Sequence, residues 1–366
     1  MTAKISAYLA NWTMWVPVLA ALMLLATWGR ELPSAIVIIS GVLLAGAVLA
    51  AVHHAEVVAH KVGEPFGSLV LAVAVTIIEV ALIVTLMISG GEQAQSLARD
   101  TVFAAVMITC NGILGISLLV GAIRRRFSVF NPEGTGGALA AVATIATLSL
   151  VLPSFTTSRP GPQFSPAQLG FAAVASLALY LLFVLVQTHR HRDYFLPITT
   201  AGKVIKEEDH LEPPTKKAAM ISLGLLLVAL VAVVGLAKGV SPAIESAVAA
   251  AGMPQAVVGV VIALLVLLPE TIAAIRAAAR DRMQTSLNLA LGSAMASIGL
   301  TIPVIAIAMI WLPGPLLLGL GGTQMVLLAL TVVVGTLTVV PGRANVLQGG
   351  IHLGLLAVFL FLAASP

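Results

Sequence analysis

The sequence predicts an all-α polytopic membrane protein with about eleven transmembrane helices, one extra N-terminal helix followed by two inverted five-helix repeats. Three observations predict it. Mean hydropathy is +1.08. Only 9% of residues are charged, against about 25% in a soluble domain, too few to cover a water-facing surface. Apolar runs of about 20 residues, the length that crosses a bilayer as a helix, recur along the whole chain.

The spans follow in order. The N-terminus carries one lysine and then a long apolar stretch, with no small-residue cleavage site before a polar domain, so an uncleaved first span is expected at 12–29. The others are expected at 34–52, 66–89, 101–121, 137–153, 167–187, 218–237, 254–275, 285–311, 321–340 and 345–363. Turn and charge signals separate them, among them Gly29-Arg30-Glu31, Gly90-Gly91-Glu92, Arg124-Arg125-Arg126 and Pro313-Gly314-Pro315. Charge tests the count. Of nineteen Lys and Arg residues, only Arg30, Arg99, Arg159 and Lys238 fall on one side, and the other fifteen fall on the side of the N-terminus. By the positive-inside rule the N-terminus is cytoplasmic and the C-terminus periplasmic, in a cell inner membrane.

The longest polar segment, 188–217, falls inside and leaves five spans after it. Taking span 1 as an extra, two blocks of five remain, and an odd number per block forces opposite orientations. The expected domains are an N-terminal helix (1–31), a first repeat (32–187), a cytoplasmic linker (188–217) and a second repeat (218–366). The halves share an order of features. Glu79 and Glu270 each lie in the second span of a block. Each is followed by an Arg-Asp pair, Arg99-Asp100 and Arg280-Asp281, and then by a span of small and polar residues.

Several function classes are excluded. One cysteine, Cys110, allows no internal disulfide framework and no Cys-based zinc cluster. A net charge of +4 in a membrane protein does not indicate nucleic-acid binding. There is no Gly-x-Ser-x-Gly or His-Glu-x-x-His motif, so no enzyme is expected, and no cofactor.

Glu79 and Glu270 carry the chemistry. A carboxyl near the bilayer centre costs about 2–3 kcal/mol on insertion scales and usually marks an ion or proton path. The plain alternative is a protonated carboxyl bonded to a neighbouring helix. Burial and like charge raise a carboxyl pKa, whereas a bound cation lowers it. Proton and cation therefore compete for the same oxygens, which is the logic of an antiporter. Ca²⁺ prefers oxygen ligands, carboxylates and carbonyls among them. Pro269, just before Glu270, frees the carbonyl of Leu265, either as site lining or as a plain kink. Thr76 shares a helical face with Glu79. Asn111 and Ser293 sit in the small-residue spans and are candidate supporting ligands, with helix-packing glue as the alternative. His53, Glu56 and His60 share a face at the inner end of span 2, as a proton or cation relay or as a solvated helix end. His352, without an acidic neighbour, reads as packing or peripheral. The EEDHLE run reads as a solvated linker or a cation sensor.

The stretch AEVVAHKVGEPFGSLVLAVAVTIIEVALI resembles the first conserved repeat of the cation/proton exchangers in the calcium/cation antiporter superfamily. LLPETIAAIRAAARDRMQTSLNLALGSAMASIGLTIP resembles the second, and the pattern is most similar to ChaA-type bacterial calcium/proton antiporters. The resemblance implies that Glu79 and Glu270 bind the cation and exchange it for protons, and it places the family's Gly-Ser on Gly292 and Ser293. The family's Asn positions hold Thr76 and Leu267 here, and its Gly positions Val75 and Val266. Export of Ca²⁺, with Na⁺ and K⁺ also accepted, in exchange for H⁺ by alternating access is the expectation. A Na⁺/Ca²⁺ exchanger, a Na⁺(K⁺)/H⁺ antiporter and, further off, a cation channel are the alternatives. The expected partners are the lipid bilayer, inorganic cations and protons.

Overall fold

The structure is a computed structural model and describes residues 2–30, 32–63, 66–89, 95–198, 214–312 and 314–366. The EEDHLE run lies outside the described residues. In chain order the helices are α1 (Thr2–Thr27), α2 (Ser34–Val62), α3 (Phe66–Ser89), α4 (Leu97–Met107), α5 (Leu114–Arg125), α6 (Pro132–Ala146) and α7 (Pro166–Leu185). They continue with α8 (Lys216–Ala250), α9 (Ala256–Val266), α10 (Leu268–Ala279), α11 (Met283–Ala308), α12 (Gly322–Val339) and α13 (Val346–Ala364). A π-helical turn, Ile108–Ile113, joins α4 to α5 without a break in the span. Two short strands, β1 (Ser128–Val129) and β2 (Arg343–Ala344), pair antiparallel with Ser128 opposite Ala344.

Each expected span overlaps a helix or a joined pair. By length and apolarity, 8 of the described helices qualify as membrane-crossing, or 9 with the bent pair α9–α10. In α1 and α3 only Trp12–Thr27 and Val73–Ile88 pass, as shorter apolar helices.

α8 departs from expectation. It was expected to end near 237, yet it runs 35 residues to Ala250, about 52 Å at 1.5 Å per residue. Lys238 and Pro242 look like stop signals. Pro242 removes only the bond to the Lys238 carbonyl. The turn beyond is tied locally, with Ser241 Oγ donating to Glu245 Oε1 at 3.0 Å and Ser246 Oγ to the Pro242 carbonyl at 2.7 Å. Thr215 caps the start, its Oγ1 accepting from the Ala218 amide at 3.2 Å.

The chain divides into two compact units, Met1–Ala94 with His210–Gly252, and Gln95–Asp209 with Met253–Pro366. In the first, α1, α2, α3 and α8 pack together, with α2 against α8 the most extensive pairing. In the second, α11 packs on α6, α7 and α10, while α4 packs on α9 and α5 on α13. Small residues permit these approaches. A Cβ on Gly299 of α11 would stand 2.6 Å from Tyr180 Cβ of α7, and one on Gly115 of α5 would stand 2.9 Å from His352 Cβ of α13. The start of the expected linker is also packed. Phe195 is buried, and its carbonyl accepts from Asn288 Nδ2 of α11 at 2.7 Å.

Candidate cation-binding carboxylates and a buried polar network

In the first unit, α3 is continuous, and Glu79 lies near its middle at 4% exposure. Thr76, one turn earlier on the same face, is buried beside it. α3 packs against α2 and α8 of the same unit.

In the second unit the Glu-bearing span is broken. α9 ends at Val266, α10 begins at Leu268, and the two axes differ by 52°. The cause is local. Pro269 has no N–H, so the Leu265 carbonyl loses its helical donor, and the ring crowds the preceding turn. The Leu267 amide still bonds the Ala263 carbonyl at 2.9 Å, and the Leu267 carbonyl accepts from the Thr271 amide at 2.9 Å and from Thr271 Oγ1 at 2.7 Å. Glu270 is half-buried in the first turn of α10. Ser293 on α11 is half-buried, and a Cβ added to its neighbour Gly292 would meet nothing within 4 Å.

Asn111 sits in the π-helical turn, fully buried, and both ends of its amide are engaged. Nδ2 donates to Thr331 Oγ1 of α12 at 2.8 Å, and Thr331 Oγ1 in turn donates to the Leu327 carbonyl at 2.8 Å. Oδ1 lies 3.0 Å from His352 Nδ1 of α13, and His352 Nε2 lies 3.2 Å from Thr338 Oγ1. The directions are forced. An amide oxygen only accepts, so His352 Nδ1 carries the proton. In the neutral ring Nε2 then accepts, and Thr338 Oγ1 donates to it. The chain Thr338–His352–Asn111–Thr331 ties three spans together with every member buried. His352 is therefore a packing residue and not a peripheral one. The sequence signal that could have found it is a lone histidine in an apolar span next to Gly349, whose close approach to Gly115 lets the ring in.

Toward the C-terminal end of α2, His53, Glu56 and His60 lie exposed on one face. The neighbour that sequence reasoning passed over, His54, is buried. Its Nε2 donates to the Thr13 carbonyl of α1 at 2.9 Å, and its Nδ1 accepts from Ser222 Oγ of α8 at 3.2 Å. The two Arg-Asp pairs also part ways. Asp100 is buried and bound by Arg99 Nε at 2.8 Å and Ser96 Oγ at 2.9 Å. Asp281 is exposed and pairs with Arg125. Among the described residues, no three His, Cys, Asp or Glu side chains gather as a metal site.

Apolar membrane helices, a carboxylate buried within one apolar helix and another beside the break in a second define an ion-coupled membrane transporter. The chain belongs to the sodium/calcium exchanger protein family, whose model matches residues 32–189 and 221–364. It is 47% identical over 368 residues to the putative ionic transporter y4hA of Sinorhizobium fredii, covering 99% of this chain and 98% of that one. It is 33% identical to the sodium-potassium/proton antiporter ChaA of Escherichia coli, covering 94% and 93%. The H⁺/Ca²⁺ exchanger CAX shares the fold, with a TM-score of 0.70 at 14% identity over 99% of this chain and 93% of that one.

Proposed function

We propose that the protein is a proton-coupled cation antiporter that exports Ca²⁺, Na⁺ or K⁺ in exchange for H⁺ by alternating access. The observation that carries this is the pair of membrane-span carboxylates, Glu79 buried mid-helix in α3 and Glu270 beside the break at Leu267. Each takes either a proton or the cation. Thr76 and Ser293 support them with hydroxyl oxygens. Asn111, in the π-helical turn that packs against α10, supports Glu270 through its side-chain oxygen. The face of His53, Glu56 and His60 relays protons or cations at the inner mouth.

In this reading residues 32–187 and 218–366 are opposed repeats about a cytoplasmic linker, in an inner membrane of about eleven spans, with the N-terminus cytoplasmic and the C-terminus periplasmic. The protein acts as a transporter and not as an enzyme.

Energetics constrain the cycle. One elementary charge crossing 100 mV is worth about 2.3 kcal/mol, and one pH unit about 1.4 kcal/mol per proton. Ca²⁺ leaving against one entering H⁺ moves net positive charge out against an inside-negative potential. Two protons make that step electroneutral, and two carboxyls suffice to carry them. A monovalent cation needs only one.

The second reading, a Na⁺(K⁺)/H⁺ antiporter with little calcium activity, draws on the name of the 33% identical relative. It also draws on Thr76 and Leu267 standing where the resemblance places Asn, which leaves fewer side-chain oxygens for a divalent ion. Everted vesicles test both. Addition of Ca²⁺, Na⁺ or K⁺ should dissipate a preformed proton gradient, and the effective cation decides between the readings. Glu79→Gln and Glu270→Gln should each abolish the dissipation. Dissipation that survives both substitutions sinks the proposal, and flux indifferent to the proton gradient indicates a channel.

A further inference from the structure

The second unit carries a groove that the transport reading does not use. α7 and α11 are pinned together where Gly299 admits Tyr180. Past Pro303, toward the end of α11 and the start of α7, the two helices leave a cavity of about 670 Å³. Its walls are apolar, with Leu169, Ala173 and Leu177 on one side and Pro303, Ala306 and Ile307 on the other. It opens to the outer surface of the bundle, where Val174 and Ile310 are 70% and 72% exposed. Gly170 lines it, and a Cβ there would meet nothing within 4 Å.

One cation stands at the mouth. Arg159 is exposed in the loop before α7. No carboxylate among the described residues forms an ion pair with it. It also lies on the side of the membrane that the charge distribution leaves almost without basic residues. An arginine at the level of the span ends, above an apolar furrow that runs along the spans, matches a molecule with one phosphate and a long hydrocarbon chain. Guanidinium binds phosphate in a bidentate fork. An acyl chain of the surrounding bilayer matches the apolar, bilayer-facing walls of the groove.

We propose that this groove binds one membrane phospholipid, its phosphate on Arg159 and an acyl chain between α7 and α11. The site does not depend on the transported cation, so its failure leaves the antiporter reading untouched.

The test uses the full chain purified in detergent with palmitoyl-oleoyl phosphatidylglycerol as the probe. Native mass spectrometry should show one retained lipid, and the lipid should raise the melting temperature. Gly170→Trp, at a position where a Cβ meets nothing within 4 Å, and Arg159→Gln should each lose the retained lipid and the shift. Both should melt like wild type in lipid-free detergent. If Gly170→Trp fails to fold, Arg159→Gln, at an exposed loop position, carries the same test. Equal retention by wild type and variants overturns the proposal in favour of a general lipid annulus. An equal melting shift from free glycerol phosphate overturns it in favour of a simple anion site. A doubled mass by light scattering that Gly170→Trp abolishes overturns it in favour of a second copy of the chain.

Discussion

The chain Thr338–His352–Asn111–Thr331 makes a quantitative prediction about stability. Truncating His352 to Ala removes its bonds to Asn111 at 3.0 Å and Thr338 at 3.2 Å. It leaves two polar groups in fully buried positions on α12 and in the π-helical turn. An interhelical hydrogen bond in a membrane protein averages about 0.6 kcal/mol and reaches about 1.7. A buried group left unsatisfied costs about 1–3 kcal/mol. His352→Ala should therefore destabilise by about 2–4 kcal/mol, part of it from the cavity left between Gly115 and α13. Asn111→Ala breaks the same shared bond together with the bond to Thr331, and should cost about 1–3 kcal/mol. The double variant should fall short of additivity by about 0.5–1.5 kcal/mol, the worth of the shared bond. Reversible unfolding in mixed micelles measures all three. Strict additivity, to within about 0.3 kcal/mol, would show that Asn111 and His352 do not act on each other and would refute the network.

Four other substitutions probe the same physics elsewhere. Gly299→Val puts a side chain where even a Cβ stands 2.6 Å from Tyr180, so α7 and α11 must separate. Thermal unfolding should show a loss of about 1–3 kcal/mol. His54→Ala cuts the ties to Thr13 and Ser222 and should cost about 1–3 kcal/mol, whereas exposed His53→Ala should stay within about 0.5 kcal/mol. Matched melting curves decide, and equal losses would contradict the burial difference. Pro269→Ala restores a donor to the Leu265 carbonyl and lets α9 and α10 straighten. Stability should hold or rise while proton-gradient dissipation in vesicles falls, and full transport from a straightened span would show that the break has no functional part.

Much of this was legible in one dimension. The bilayer forces every spanning backbone group to pair internally, so hydropathy alone places helices, and basic residues suggest which ends face inside. Glu79 and Glu270 stood out because a carboxylate in an apolar span has no cheap explanation. Pro269 announced a disturbance, left open as site lining or a plain kink, and the chain bends there by 52°. α8 runs past its expected end near 237 although Pro242 removes one backbone bond, because local hydrogen bonds around Pro242 hold the turn.

The sequence by itself determined the class of protein, the order of its helices and the two carboxylates. Those follow from the cost of polar groups in hydrocarbon, which acts residue by residue. Only the tertiary structure decided that His54 and not His53 is the buried histidine of α2, that His352 holds Asn111, and that α7 and α11 part to leave a groove. Those outcomes are set by partners far apart in the chain, 168 residues for His54 with Ser222 and 241 for Asn111 with His352. Which of several equally polar side chains finds a partner is fixed only when the helices pack.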